Sequence, residues 1–226
     1  MDKEHIKANI NLIYKKLGEV VVLPNALSYP ASFGAKVILI AVTKKQTIDT
    51  IQNALDLGFT NFGENYVQEA LEKWPLLKKN NPHISLHLIG ALQSNKITKA
   101  LELFDTIQTL DSIELVLKIK EKIIVNNLQN KSFFIQVNFD DNSKVRNGVK
   151  VADLEGVVKS AKGLNVRGLM IILPLIKTQE TKKHFILASQ LNKKYGFKEL
   201  SMGMSADYIE AIKCGSSMIR LGKALF

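Results

Sequence analysis

The stretch KVILIAVTKKQTIDTIQNALDLG, residues 36–58, contains the unit that decides the fold. It begins with an apolar run rich in Val and Ile, Lys36–Val42, continues into an amphipathic segment, Thr47–Leu57, and closes on Gly58. A near-continuous apolar run is typical of a strand in a parallel sheet that is covered on both faces. Glycine directly after a helical pattern commonly ends a helix. The stretch therefore predicts a strand followed by a helix.

The same alternation recurs along the chain. Short apolar runs predict eight strands, at Lys36–Val42, Phe59–Phe62, Ile84–Ile89, Thr106–Thr109, Phe133–Asn138, Val166–Leu173, Glu199–Met202 and Met218–Leu221. Amphipathic segments predict helices at Thr47–Leu57, Tyr66–Lys79, Asn95–Phe104, Asp111–Asn126, Val151–Lys162, Thr178–Tyr195 and Ser205–Cys214. A further helix, about Lys3–Leu17, precedes the first strand.

Eight repeats in 226 residues predict an α/β fold, a single-domain (β/α)₈ TIM barrel over residues 1–226, with 1–35 as an N-terminal helix and lead-in. An open, doubly wound parallel sheet is the alternative. The long connection Phe139–Lys150 follows the fifth strand. In a barrel it would lie at the mouth formed by the carboxyl ends of the strands, where active sites are built.

The composition limits the classes of function. The net charge is +10, but the lysines are scattered through helix-like segments, so we expect solvated outer helices and no nucleic-acid interface. No secretory signal and no membrane-spanning stretch is predicted. The single cysteine, Cys214, cannot form an internal disulfide, which fits a reducing cytoplasm. We expect a cytoplasmic, monomeric protein without a membrane partner.

The end of the first strand carries a lysine with a defined orientation. Because side chains alternate along a strand, Lys44 shares a face with Val42 and Ile40, while Lys45 points the other way. A lysine at a strand end is most often a solvated charge. The strand pattern alone leaves both interpretations of Lys44 open.

The ends of the seventh and eighth strands suggest an anion site. Ser205 is predicted to cap the next helix, and Gly203 would let the backbone approach a ligand closely. Gly222 comes just after the eighth strand. The loops after strands seven and eight form the usual phosphate site of such barrels. A plain helix cap and a plain turn are the alternative interpretations of Ser205 and Gly222.

Six motifs at the strand ends occur in a specific order. They are AVTK at 41–44, FGENYVQE at 62–69, HLIGALQSNK at 87–96, RGLM at 167–170, LSMGMSAD at 200–207 and GSSMIRLG at 215–222. In this order and spacing, the chain resembles the pyridoxal phosphate homeostasis protein family, which is itself similar to the N-terminal barrel of alanine racemase. The resemblance extends from about residue 37 to the C-terminus.

The resemblance implies that pyridoxal 5′-phosphate is held as a Schiff base on Lys44. It places Asn65 near the cofactor ring and Arg220 against the ring nitrogen. Met170 is expected to be a core residue with one edge toward the ligand. The anion site at Gly203, Ser205 and Gly222 would then hold the phosphate of the cofactor. An amine that attacks an aldehyde must be neutral, so we expect Lys44 to be partly buried near other cations. Arginine has only donors, so Arg220 would make the ring a poorer electron sink.

Other residues receive secondary interpretations. His87 either faces the lumen or packs in the core, and a satisfied core histidine is the favoured interpretation. Asp207 is expected to be structural and to point away from a phosphate. Lys223 stands where the family commonly has a hydroxyl residue, which puts a hydroxyl contact to phosphate in doubt. In the long loop, either Lys144 or Arg146 would carry the role of the family's loop lysine.

The leading functional hypothesis is a protein of vitamin B6 homeostasis that binds, buffers or hands over the cofactor without robust catalysis, with cofactor-dependent apoenzymes as candidate recipients. Alanine racemase needs an acid–base residue on each face of its substrate, and the opposing residue comes from a β domain for which this chain has no room. A racemase-like enzyme that uses the same Lys44 is the alternative. An RNA- or protein-binding barrel that acts through its basic surface ranks last.

Overall fold

The computed structural model describes residues 1–17, 21–23, 26–28, 36–128, 131–139, 147–173 and 178–226. Parallel strands form the barrel: β1 (Lys36–Val42), β2 (Asn61–Glu64), β3 (Ser85–Leu88), β4 (Thr106–Leu110), β5 (Ser132–Asn138), β6 (Asn165–Ile171), β7 (Glu199–Ser201) and β8 (Met218–Leu221). Because β1 pairs in parallel with both β2 and β8, the sheet closes on itself. The predicted barrel is confirmed, and the open-sheet alternative is wrong.

Helices surround the barrel: α1 (Lys3–Leu17), α2 (Ile48–Asp56), α3 (Val67–Asn80), α4 (Ile97–Leu103), α5 (Ile113–Val125), α6 (Leu154–Ser160), α7 (Thr178–Lys194) and α8 (Tyr208–Lys213). Short 3₁₀ turns, Ser94–Lys96 and Val151–Asp153, precede α4 and α6. The predicted N-terminal helix is confirmed as α1, which packs against α2. Gly58 follows α2 with φ 87°, the left-handed conformation expected of a glycine that ends a helix.

Short strands that the sequence did not predict extend the sheet. Val21–Leu23 and Ala26–Ser28 pair with each other in antiparallel fashion, and the second of them pairs with the start of β1. Val149–Lys150 pairs in parallel with the end of β5. The first two segments lie in the predicted lead-in 1–35, and the third lies at the end of the predicted connection Phe139–Lys150.

The core divides into a layer between the barrel and the helices and a separate cluster inside the barrel. Ile40, Phe134, Met170 and Met218 form the inner cluster, and all of them are buried. Because side chains alternate, Leu86 and Leu88 of β3 pack outward, and His87 between them faces the lumen. Within the described part of the chain, no helix is both long and apolar enough to cross a bilayer.

Candidate functional site

Lys44 lies at the mouth of the barrel, two residues beyond the end of β1. Ile40 and Ile38 belong to the lumen cluster, whereas the hydroxyl of Thr43 bonds Glu64 in the outer layer. Alternation continued from β1 to position 44 would place Lys44 on the lumen side, and this orientation stays a prediction. The expectation that Lys44 is partly buried is wrong, because its side chain is exposed.

A buried ionic cluster fixes the residue before Lys44. The carboxylate of Glu64 is fully buried, and its Oε1 lies 2.7 Å from the Lys73 ammonium, which is 10% exposed. The same oxygen accepts hydrogen bonds from the Thr43 hydroxyl at 2.8 Å and from the Trp74 indole at 3.0 Å. Lys73 also donates to the backbone carbonyl of Thr43 at 2.8 Å. Both the main chain and the side chain of Thr43 are thereby held by α3 and β2.

The residue after Lys44 is held from the same helix. Lys45 has φ 62°, a left-handed conformation that costs free energy for a residue with a Cβ. Its backbone N–H donates to Glu69 Oε1 at 2.5 Å, and Glu69 lies 2.9 Å from the Lys73 ammonium. We name the cluster of Glu64, Glu69 and Lys73 the α3 brace. It fixes both neighbours of Lys44 and leaves the Lys44 side chain free to reach a ligand.

The sequence analysis missed the α3 brace. Glu69 and Lys73 have the i, i+4 spacing that places opposite charges together on a helix, and this signal could have pointed to half of it. Glu64 gave no such signal, because a glutamate at a strand end is ordinarily exposed. Only the crossing of α3 over β2 brings Glu64 to the two charged groups of the helix.

Two loops at the ends of β7 and β8 present backbone donors together. Within the described chain, the N–H groups of Ser205 and Ala206 in one loop donate no hydrogen bond, and neither do those of Gly222 and Lys223 in the other. The Ala224 N–H donates to the Ser205 hydroxyl oxygen at 3.1 Å, which ties the loops together. Free N–H groups on two linked loops form a suitable cradle for a phosphate.

The prediction that Ser205 caps a helix is wrong. Helix α8 begins at Tyr208, its N-cap position is Asp207, and no side chain caps it. The Asp207 carboxylate instead accepts the N–H of Met204 at 2.6 Å, so it closes the turn and is structural, as expected. Ser205 is therefore not needed as a cap, and its hydroxyl lies at the junction of the two loops.

The two glycines of these loops meet different surroundings. Gly203 has φ 97°, and a Cβ there would lie 2.7 Å from the Ala211 Cβ, so the protein itself requires glycine. At Gly222 a Cβ would meet Val42 at 3.6 Å, which is an ordinary contact. Protein packing therefore does not demand glycine at position 222, which leaves the space beside Val42 for a ligand.

Arg220 lies one layer below Gly222, with its Cα paired to that of Ile40. It is 3% exposed, and it donates to the Ser201 hydroxyl and to the Ile171 carbonyl, both at 2.7 Å. Burial lowers the pKa of its guanidinium to about 10. Among the described residues no carboxylate forms an ion pair with it. The Asp207 carboxylate acts on it only electrostatically and opposes this lowering of the pKa. A buried cation without a bonded anion is costly, which makes Arg220 a candidate functional residue.

The remaining residues predicted to lie at or near the cofactor differ in exposure. Met170 is fully buried in the lumen cluster, which confirms it as a core residue, and its contact with a ligand stays a prediction. Asn65 is half-buried and lines a cavity of about 400 Å³ at the mouth, whose wall also includes Gln93 and Lys96. Lys223 is exposed. Lys144 and Arg146, one of which was expected to replace the family's loop lysine, lie outside the described residues.

The residues present fit a phosphorylated pyridine aldehyde. In register order along β1 and β8, Arg220 is level with Ile40, Gly222 lies beside Val42, and Lys44 follows at the mouth. From the lumen outward, the site therefore presents a guanidinium with free N–H donors, then the cradle of backbone N–H groups, and then an amine. This sequence of groups offers a partner to the ring nitrogen, the phosphate and the aldehyde of pyridoxal 5′-phosphate.

Known protein sequences resemble this chain along nearly its whole length. Residues 29–226 match the family described as alanine racemase, N-terminal domain. The pyridoxal phosphate homeostasis protein of Haemophilus influenzae is 34% identical over 233 residues, covering 98% of this chain and 95% of the relative. The protein of the same name from Buchnera aphidicola subsp. Schizaphis graminum is 35% identical over 237 residues, with 98% and 97% covered.

Solved structures agree in fold. PipY of Synechococcus elongatus PCC7942 with pyridoxal phosphate bound superposes with a TM-score of 0.80 at 30% identity, covering 98% of this chain and 99% of PipY. The same protein without the cofactor gives 0.81 at 32% identity, with the same coverage. Alanine racemase from Corynebacterium glutamicum gives 0.70 at 16% identity, with 61% of that chain covered, and it shows the fold alone.

Proposed function

Because this chain belongs to the family of alanine racemase N-terminal domains, we propose that it binds pyridoxal 5′-phosphate at the mouth of the barrel, through a Schiff base to Lys44. The observation that carries the proposal is the order of groups along β1 and β8, in which Arg220, Gly222 and Lys44 succeed one another. The names of the homeostasis relatives and the bound cofactor of PipY support it.

Within that site, the N–H groups after β7 and β8 would hold the phosphate, and Arg220 would face the ring nitrogen. When bound, the cofactor supplies a reactive aldehyde and an electron-withdrawing ring. Because Arg220 only donates hydrogen bonds, it favours an unprotonated ring nitrogen and thus weak electron withdrawal. We therefore propose a holding and delivery role in cofactor homeostasis, in the cytoplasm, with cofactor-dependent apoenzymes as recipients and without robust amino-acid catalysis.

The covalent attachment can be tested with the purified protein and pyridoxal 5′-phosphate. We expect a visible absorption band that disappears on borohydride reduction, with the reduced label recovered on the peptide that contains Lys44. Lys44→Arg should abolish the band. Lys45→Arg is the matched control, because Lys45 is adjacent and exposed but lies beyond the lumen-facing position, and it should retain the band. Recovery of the label on another lysine in wild type would contradict the proposal.

The absence of robust catalysis needs a separate experiment. The loaded protein is incubated with a panel of amino acids in deuterated solvent, and exchange of the α-proton is followed by NMR. We expect exchange far slower than the turnover of about 10 per second that is typical of enzymes. Efficient exchange with inversion would overturn the delivery role and support the racemase-like alternative.

A further inference from the structure

A continuous line of polar side chains crosses the lumen below the mouth. The Ser201 hydroxyl lies 2.7 Å from an Arg220 nitrogen and 2.7 Å from Gln108 Oε1. The Gln108 amide nitrogen lies 3.1 Å from His87 Nδ1, and His87 Nε2 lies 3.1 Å from the Ser85 hydroxyl. Gln108 and Ser201 are fully buried, so these contacts are shielded from water.

The direction of each hydrogen bond follows from the chemistry of Arg220. An arginine only donates, so the Ser201 oxygen accepts, and its own hydrogen is directed to the Gln108 carbonyl oxygen. The Gln108 amide then donates to His87 Nδ1. Burial lowers the pKa of His87 to about 4, so the ring is neutral near pH 7 and its Nδ1 can accept.

Each side chain that anchors Arg220 is therefore neutral. A carboxylate at position 108 or 201 would have neutralised the guanidinium, as arginines in protein interiors usually require. Of the five N–H groups of an arginine, only two are bonded to described residues, to Ser201 and to the Ile171 carbonyl. Arg220 is thus fixed in place while its charge and its other N–H groups stay available.

We propose that Gln108 and Ser201 are positioning residues that hold Arg220 toward the ring nitrogen of the cofactor without bonding a carboxylate to it. This inference rests on the proposed function. It makes the lumen selective for a ring with an unprotonated, hydrogen-bond-accepting nitrogen. The α3 brace positions the amine at the mouth, and the Gln108–Ser201 pair positions the ring partner below it.

The test compares two probes that cannot react with Lys44. Pyridoxamine 5′-phosphate has no aldehyde, and its carbocyclic analogue carries C–H in place of the ring nitrogen. Dissociation constants are measured by calorimetry for wild type, Gln108→Met and Ser201→Ala. Wild type should prefer the pyridine by about 10-fold, the magnitude of a hydrogen bond to a charged group. Both variants should lower that preference by about 5-fold, because the guanidinium loses its orientation.

The ratio of the two constants separates positioning from general loss of structure. A variant that merely loosens the barrel weakens both probes equally and leaves the ratio unchanged. Phe134→Leu is the matched control, since it truncates another buried lumen residue that makes no hydrogen bond to Arg220, and it should keep the wild-type ratio. Ser201→Ala removes a single oxygen and serves the test if Gln108→Met does not fold.

The outcomes are distinct. If wild type binds both probes and the ratio is unchanged in both variants, the roles assigned to Gln108 and Ser201 are wrong, and the proposed function stands. If wild type binds neither probe and forms no Schiff base, the proposed function fails. A wild-type protein that binds both probes equally would show that Arg220 does not recognise the ring nitrogen, and would overturn the inference directly.

Discussion

The ammonium of Lys73 donates a 2.8 Å hydrogen bond to the backbone carbonyl of Thr43, the residue immediately before Lys44. The two residues are thirty positions apart, and the bond connects α3 to the end of β1. Lys73 also pairs with Glu64, whose carboxylate is fully buried. The buried ion pair of Lys73 and Glu64 is thus bonded directly to the backbone next to Lys44, the candidate cofactor lysine.

Lys73→Met should destabilise the protein by about 3 kcal/mol, because it leaves the buried Glu64 carboxylate without a cation. It should also slow the formation of the Schiff base by about 10-fold at temperatures where the variant is folded, because Lys44 loses its fixed turn. Urea unfolding and stopped-flow absorbance measure the two effects.

The control for this substitution is Lys78→Met on the same helix. Lys78 pairs with Asp105 beside the first residue of β4, at the end of the barrel away from Lys44, and both side chains are partly exposed. We expect a cost of about 1 kcal/mol and an unchanged rate. Equal slowing in both variants would show that the α3 brace does not position Lys44.

Substitution of alanine for glycine should change the free energy of unfolding strongly at position 203 and very little at position 222. Gly203→Ala should cost about 3 kcal/mol in the free energy of unfolding, because φ is 97° and the new methyl group would lie 2.7 Å from Ala211. Gly222→Ala should change stability by less than about 0.5 kcal/mol, since its nearest contact is 3.6 Å.

Although Gly222→Ala should leave stability nearly unchanged, it should weaken ligand binding. Its new methyl group would occupy the space beside Val42, next to the free N–H groups of the cradle. We expect Gly222→Ala to weaken pyridoxal 5′-phosphate by about 10-fold and pyridoxal, which lacks the phosphate, much less. Equal weakening of both ligands in a calorimetric titration would argue against a phosphate cradle at this loop.

The lowered pKa of His87 predicts a specific dependence of the free energy of unfolding on pH. Burial lowers the pKa of its ring from 6.5 in the unfolded chain to about 4 in the folded protein. The unfolded chain binds the proton more readily between these values, so the stability that depends on neutral His87 is complete above about pH 6.5 and falls as the pH falls toward 4. The full loss is about 3 kcal/mol, at about 1.4 kcal/mol per pH unit.

The measurement is urea unfolding at a series of pH values from 7 down to about 4.5. His87→Gln should remove this part of the pH dependence, because glutamine does not titrate. His83→Gln, at an exposed histidine, should keep the wild-type slope. A His87→Gln variant with the wild-type slope would assign the effect to other groups.

Arg220→Met separates stability from binding. The substitution removes two hydrogen bonds but also removes a buried charge that no carboxylate neutralises in the described residues. These effects oppose each other, so the cofactor-free protein should change in stability by no more than about 1 kcal/mol. Affinity for pyridoxal 5′-phosphate should fall by at least about 10-fold. A strongly destabilised cofactor-free variant would indicate a structural role for Arg220.

Local patterns explain why the architecture was predictable. The strands are buried on both faces and therefore stand out as apolar runs, and glycines such as Gly163 and Gly215 mark helix ends because each has φ 95°. The predicted face of Lys44 followed from alternation with Ile40 alone. The prediction that Ser205 caps a helix was wrong, because the side chain of Asp207, two residues further on, closes the turn instead.

The sequence by itself determined the order of strands and helices, the residues that share the Ile40 face of β1 and the position of Lys44 just after that strand. Those properties depend on periodicities of two and 3.6 residues, which are local. Only the tertiary structure decided that Lys73 holds Thr43 and that Ser201 and Gln108, 93 positions apart, support Arg220. Closing the barrel brings these residues together, and no local pattern records which polar side chains meet across it.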